Sequence, residues 1–144
     1  MPHKTQTTKT NIFLYLIIPA VILVIFIMIM FGSDAKINNS NIEYITSLGW
    51  QVDEKCADIS YFTIPEEFDS VYCAYNNIVK DANFDLSLHR GRRAVRYSYN
   101  VLNYPYPRTT ARINIILAGG EIISADISAY GADGFIKPLT ARAE

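Results

Sequence analysis

Acidic residues are missing from the first 33 positions of this 144-residue chain, where Lys4 and Lys9 are the only fully charged side chains. Histidine and cysteine are scarce, two of each: His3, His89, Cys56 and Cys73. Zinc sites draw on clustered His, Cys, Asp or Glu at ligand spacing, and neither C-x-x-C nor H-E-x-x-H occurs. No metal and no cofactor is therefore expected. A Ser–His or Cys–His nucleophile would have to use His89, which sits in a turn beside Arg90, so no catalytic residue is assigned. Repeats and low-complexity tracts are also missing. With half the residues hydrophobic and 12% aromatic, the composition excludes intrinsic disorder.

What is present is a long hydrophobic run. Ile12–Phe31 holds twenty residues without a charge or a strongly polar side chain. At about 1.5 Å per residue it spans roughly 30 Å, the hydrocarbon thickness of a bilayer. Pro19 lies in its first half and is tolerable in a membrane helix. A buried core helix of this kind would need a larger protein around it. A cleaved signal peptide is the competing reading, because Ser33-Asp34-Ala35 fits a small-x-small site. Its apolar stretch would normally be only about 7–15 residues, which favours an uncleaved anchor. No cysteine directly follows the run, so lipid attachment is not indicated. Lys4, Lys9 and the terminal amine outweigh Lys36, which lies near Asp34 and Glu43, so the tail is expected inside. The organisation expected is a cytoplasmic tail (1–11), a transmembrane anchor (12–31), a linker (32–40) and an extracytoplasmic domain (41–144). That places the protein in the cell membrane as a single-pass protein. From Asp34 onward lie all fourteen acids and eleven of the thirteen bases, a mildly acidic net −3.

Along the domain, Ser40 with Glu43 forms a capping-box pattern. Ile42, Ile45 and Leu48 follow at helical spacing, with Gly49 and Trp50 placed for a Schellman-type stop. A strand is expected over Lys55–Ile64. The IPEEF segment reads as a helix start, with Glu66, Glu67 and Asp69 at the positive end of the helix dipole. Phe68, Val71, Tyr72, Tyr75, Ile78, Val79 and Ala82 then form one apolar stripe. From residue 93 the period becomes two, giving a half-buried strand through Val95, Tyr97, Tyr99 and Val101. After a proline-rich break comes a hairpin turning at Gly119-Gly120. Its simplest register pairs Leu117 with Ile122, Ile115 with Ser124 and Ile113 with Asp126. Apolar residues on both faces make this hairpin central. Phe135, Ile136 and Leu139 are candidates to pack the tail. The fold class is α+β: the N-terminal transmembrane helix, then a small domain with two helices packed on one face of an antiparallel sheet.

Gly49-Trp50, Ile64-Pro65 with Phe68, Tyr75-Asn76, Phe84-Asp85-Leu86, Tyr97, Asp126 and Gly134-Phe135 form an ordered series. Over about residues 42–139 the series resembles the bacterial domain-of-unknown-function family 4830. The resemblance implies a small membrane-anchored or exported protein of Gram-positive-type bacteria, and it transfers no catalytic residue.

Three features are candidate sites. Arg90, Arg92 and Arg96 precede Tyr97 and Tyr99, but alternation puts those tyrosines on the face away from Arg96. Cations and aromatics therefore do not interleave as a nucleic-acid stacking platform requires, and no nucleic acid is expected. These arginines are candidates to contact an anionic surface, lipid head groups or cell-wall polymer. Asp126, on an apolar-leaning face, is a functional or structural acid with Arg112 or Arg96 as partner. Cys56 and Cys73 could form a disulfide in an exterior domain, or stay as thiols. The expected role is a non-enzymatic binding domain for an envelope protein or anionic envelope polymer. A hydrolase using unidentified carboxylates is the alternative, and a subunit of a larger membrane complex is a third reading.

Overall fold

The computed structural model describes the backbone of residues 9–106, 108–131, 134–140 and 142, with the side chains of 9–14 and 28–33 outside the description. The chain divides into two compact units, Met1–Asn39 and Ser40–Glu144.

The first unit holds most of helix α1 (Lys9–Ser47), which contains Pro19. Every side chain from 15 to 27 along it is exposed. Among the described residues no helix is long and apolar enough to cross a membrane. Both ends of the run Ile12–Phe31 fall on side chains outside that description, as does the tail before Lys9. The expected linker is helical, and Ser40 lies inside α1 and does not cap it. Gly32 and Ser33 cost only about 1 kcal/mol or less each in a helix, and no proline follows them to break it.

The second unit is built on one antiparallel sheet of five strands in the order β1-β2-β3-β4-β5. These are β1 (Asp58–Thr63), β2 (Arg93–Asn100), β3 (Ala111–Ala118), β4 (Glu121–Ala129) and β5 (Phe135–Pro138). Helix α2 (Ser70–Lys80) and a short 3-10 turn (Leu86–His89) lie between β1 and β2. The α+β class holds, the β3–β4 hairpin is central in part through β3, and the tail supplies a fifth strand.

Helix α1 ends as its sequence dictates. Gly49 takes φ +83°, the Trp50 N–H bonds the Ile45 carbonyl at 3.3 Å, and the Gly49 N–H bonds that of Thr46 at 2.9 Å. This is the Schellman pair of bonds. Helix α2 starts later than the IPEEF segment suggested. Asp69 is its N-cap and accepts from the Tyr72 N–H at 2.8 Å. A carboxylate able to bind the free N–H groups of the first turn outcompetes a proline four residues earlier.

The hairpin turns at Gly119 and Gly120, with φ of +64° and +86°, the two left-handed residues of a type I′ turn. Ala118 pairs with Glu121 and Leu117 with Ile122, but the register then shifts between Ile116 and Leu117. Ile123 is the extra residue on β4. Beyond this bulge Ile116 pairs with Ser124, Ile113 with Ile127 and Asn114 with Asp126. Asp126 therefore faces Asn114, where the simplest register had placed Ile113. A bulge moves every later side chain by one position.

Paired residues share a face, so the sheet has two distinct sides. One carries Tyr97, Tyr99, Ile113, Ile115, Ala125 and Ile127, all buried. The last turns of α1 lie here, with Asn41 Nδ2 donating to Tyr99 Oη at 3.1 Å. Burial raises the Tyr99 phenol pKa to about 12. The other side carries Ala94, Ser98, Asn114, Ile116 and Asp126. Phe62, Phe68 and Tyr75 pack there against Ile64, Leu86, Ala94, Ile116, Ala118 and Ile123. The last turns of α1, from Ser40 on, and helix α2 thus lie on opposite faces, correcting the expectation of one shared face. Both faces of the central strands are apolar enough to need cover.

Candidate functional site

The α2 side of the sheet carries a polar chain inside its apolar surroundings. Ser98 Oγ donates to Asn114 Oδ1 at 2.7 Å. Asn114 Nδ2 donates to Asp126 Oδ1 at 2.7 Å and to Ser128 Oγ at 3.0 Å. Tyr75 Oη, reaching in from α2, donates to Asp126 Oδ2 at 2.7 Å and lies 3.1 Å from Ser124 Oγ. Asp126 is 3% exposed, and each of its oxygens accepts a hydrogen bond. A buried carboxylate needs such donors to offset its lost hydration. Burial still pushes the Asp126 carboxyl above its ordinary value, against the lowering effect of Asn114, Tyr75 and Arg96. Burial first, and the Asp126 charge second, hold the Tyr75 phenol far above its ordinary range.

Beside this network opens a cleft of about 380 Å³, within the size class of small-ligand sites. Its floor includes Phe62, Tyr75, Leu86 and Ile116, and its polar corner Ser60, Arg96, Asn114 and Asp126. Val71, Tyr72, Tyr130 and Ile136 complete the lining, with Val71, Tyr130 and Ile136 being 70%, 79% and 50% exposed. Apolar groups with a few convergent polar ones are the usual make-up of a ligand pocket.

Arg96 sits in the polar corner, where its Nη2 donates to Ser60 Oγ at 3.3 Å and lies 3.9 Å from Asp58 Oδ2. Its Nε is buried without a partner. Arg90 instead lies over the Phe68 ring at 4.8 Å. Arg92 contacts His89 Nδ1 at 2.9 Å and the Ala118 carbonyl at 3.5 Å. Of the three arginines, only Arg96 lines the cleft.

Asp126 takes its hydrogen bonds from Asn114 and Tyr75, and of the two expected partners, Arg112 and Arg96, Arg96 acts on it through its charge. Cys56 and Cys73 are free thiols. Cys56 Sγ bonds the carbonyls of Asp58 and Ser98, and burial raises its pKa, whereas Cys73 Sγ contacts the Phe68 carbonyl. Among the described residues no group of three His, Cys, Asp or Glu could hold a metal.

A family model described as domain of unknown function (DUF4830) matches residues 44–127. The chain belongs to this family. The DUF4830 match takes in every cleft residue except Tyr130 and Ile136, together with the whole Ser98–Asn114–Asp126–Tyr75 network. Neither the curated proteins nor the solved structures give a match.

Sequence reasoning missed Asn114, Tyr75 as a polar group, and the cleft itself. Alternation does place Asn114 among isoleucines in the strand Ala111–Ala118. An amide in such a run signals a buried partner across the sheet.

Proposed function

We propose that this protein is a membrane-anchored, extracytoplasmic binding domain that takes a small ligand in the cleft beside α2. The observation that carries the reading is the cleft's composition: aromatic and aliphatic walls, one cation, and a single acid whose oxygens are both engaged. General acid–base hydrolysis calls for a second acid or a nucleophile within reach of the first. The cleft lining holds Asp126 as its sole carboxylate, which favours binding. The continuous exposure of side chains 15–27 on α1 supports the anchor, because a bilayer would cover them.

Methyl-detected NMR of the full chain in lipid nanodiscs tests the reading. Three water-soluble probes with one apolar body serve: 4-phenylbutyrate, 4-phenylbutanol and 4-phenylbutylamine. Saturable shifts are expected in the Ile116, Ile136 and Val71 methyls with at least one probe, while Ile45 and Ile113 on the other face stay put. If none of the three produces a saturable shift at the cleft, the binding reading is wrong.

A further inference from the structure

The donors facing the cleft decide what it can hold. Both N–H groups of Asn114 are spent, on Asp126 and Ser128. The Tyr75 hydroxyl proton is spent on Asp126. Ser60 Oγ donates to Asp58 at 2.9 Å and accepts from Arg96. The Tyr72 and Tyr130 hydroxyls also line the cleft, but the Arg96 guanidinium is the one cationic donor in its lining. The Arg96 contact with Asp58 at 3.9 Å is long for an ion pair and its side chain is 43% exposed, with the unpartnered Nε buried and the Nη end left for a ligand. A guanidinium offers five N–H donors in a planar fork, and Ser60 Oγ takes one of them here.

The apolar side is equally specific. Val71 from α2, Tyr130 after β4 and Ile136 from β5 expose large hydrophobic surfaces around one opening. Three such side chains from three elements, converging on one cavity, make a receptor for an apolar body.

We propose that the cleft binds a small amphipathic carboxylate, its acid on Arg96 and its apolar body against Val71, Tyr130 and Ile136. This rests on the cleft-binding reading above and adds the ligand's chemical class. A monoanion fits better than a phosphate, because one guanidinium stands in the lining, with Asp126 nearby and no second cation. The planar fork also matches a carboxylate edge. An amine is disfavoured by Arg96, and an alcohol leaves its charge unanswered.

The test uses the same probes by calorimetry on the full chain in nanodiscs. The expected result is that 4-phenylbutyrate binds at least tenfold more tightly than the alcohol or the amine, the scale of one hydrogen bond to a charged group. Arg96→Gln should remove that preference, while Arg93→Gln, on the opposite face of β2, should leave it intact. Equal affinity for all three probes would overturn the carboxylate assignment and leave cleft binding standing. Absence of binding by every probe overturns both. A blocked tripeptide ending in a free phenylalanine carboxylate offers the same acid on a peptide. Tighter binding of that tripeptide than of 4-phenylbutyrate would assign the site to chain ends and overturn the small-acid proposal. The probe series on the unaltered chain decides the question even if Arg96→Gln fails to fold.

Discussion

Asp126 and Asp85 are both held by hydrogen bonds, yet their environments push them in opposite directions. Asp85 caps the 3-10 turn, accepting from the Ser87 hydroxyl at 2.6 Å and from Asn76 Nδ2 at 2.9 Å. These bonds, with the Ser87 N–H and Lys80, hold its carboxyl well below the ordinary 3.8. Asp126 is raised above the same 3.8, chiefly by burial. A raised acid binds more protons folded than unfolded, so stability grows as pH falls from neutral through its folded pKa toward 3.8. A depressed acid gives stability that is complete above 3.8 and is lost as pH falls below it, through its folded pKa. Urea midpoints measured from neutral to acid pH should therefore rise and then fall, turning at about pH 4. Asp126→Asn should flatten the upper limb, since the Tyr75 hydroxyl can turn to accept from the new amide and donate to Ser124. Asp85→Asn should flatten the lower limb. An upper limb that survives Asp126→Asn unchanged would show that its burial is not the cause. Asp126→Ala, which strands one buried N–H of Asn114, should cost about 1–3 kcal/mol.

At the level of elements, helix ends and turns carry the clearest chemistry. Gly49 at φ +83° would place an added Cβ 3.5 Å from Arg142 Cβ, ordinary contact, so the backbone conformation alone sets the cost of a substitution. Gly49→Ala should lose about 1–2 kcal/mol, and Asp69→Ala about 1 kcal/mol through its lost cap. Both should shift the urea midpoint without changing the slope; a Gly49→Ala variant of full stability would rule out the Schellman stop. The same features explain what the sequence discloses. Gly49-Trp50, Gly119-Gly120 and the alternation from residue 93 are local signals, and each sits where it was expected. The bulge at Ile123 is not local, because an extra isoleucine among isoleucines has no signature of its own. Missing it moves Asp126 from Asn114 to Ile113 and hides the polar network. The side on which each helix packs is likewise settled by the loops that carry α1 and α2 to the sheet, which periodicity does not encode. The cleft needs both errors removed, since Arg96, Asn114, Asp126 and Ile136 share a face only in the bulged register.

For the whole molecule, the proposed membrane anchor raises the question of which side of the membrane the second unit would occupy, and its two thiols can answer it. Cys73 is exposed on α2, while Cys56 is half-buried with its Sγ held by two carbonyls. The reactive species is the thiolate, and burial pushes the Cys56 pKa up, so Cys73 should react first. A membrane-impermeant maleimide applied to intact cells expressing the full chain should label it without prior reduction. Cys73→Ser should abolish most of that signal and Cys56→Ser should leave it. Labelling that appears only after a reductant would mean the two cysteines are oxidised in the cell, most simply to each other. Labelling of Cys73 only after lysis, with reduction of intact cells making no difference, would place the domain inside. In that case the few basic residues of the tail do not set the orientation. The cleft would then face the cytoplasm, and its carboxylate would have to come from there.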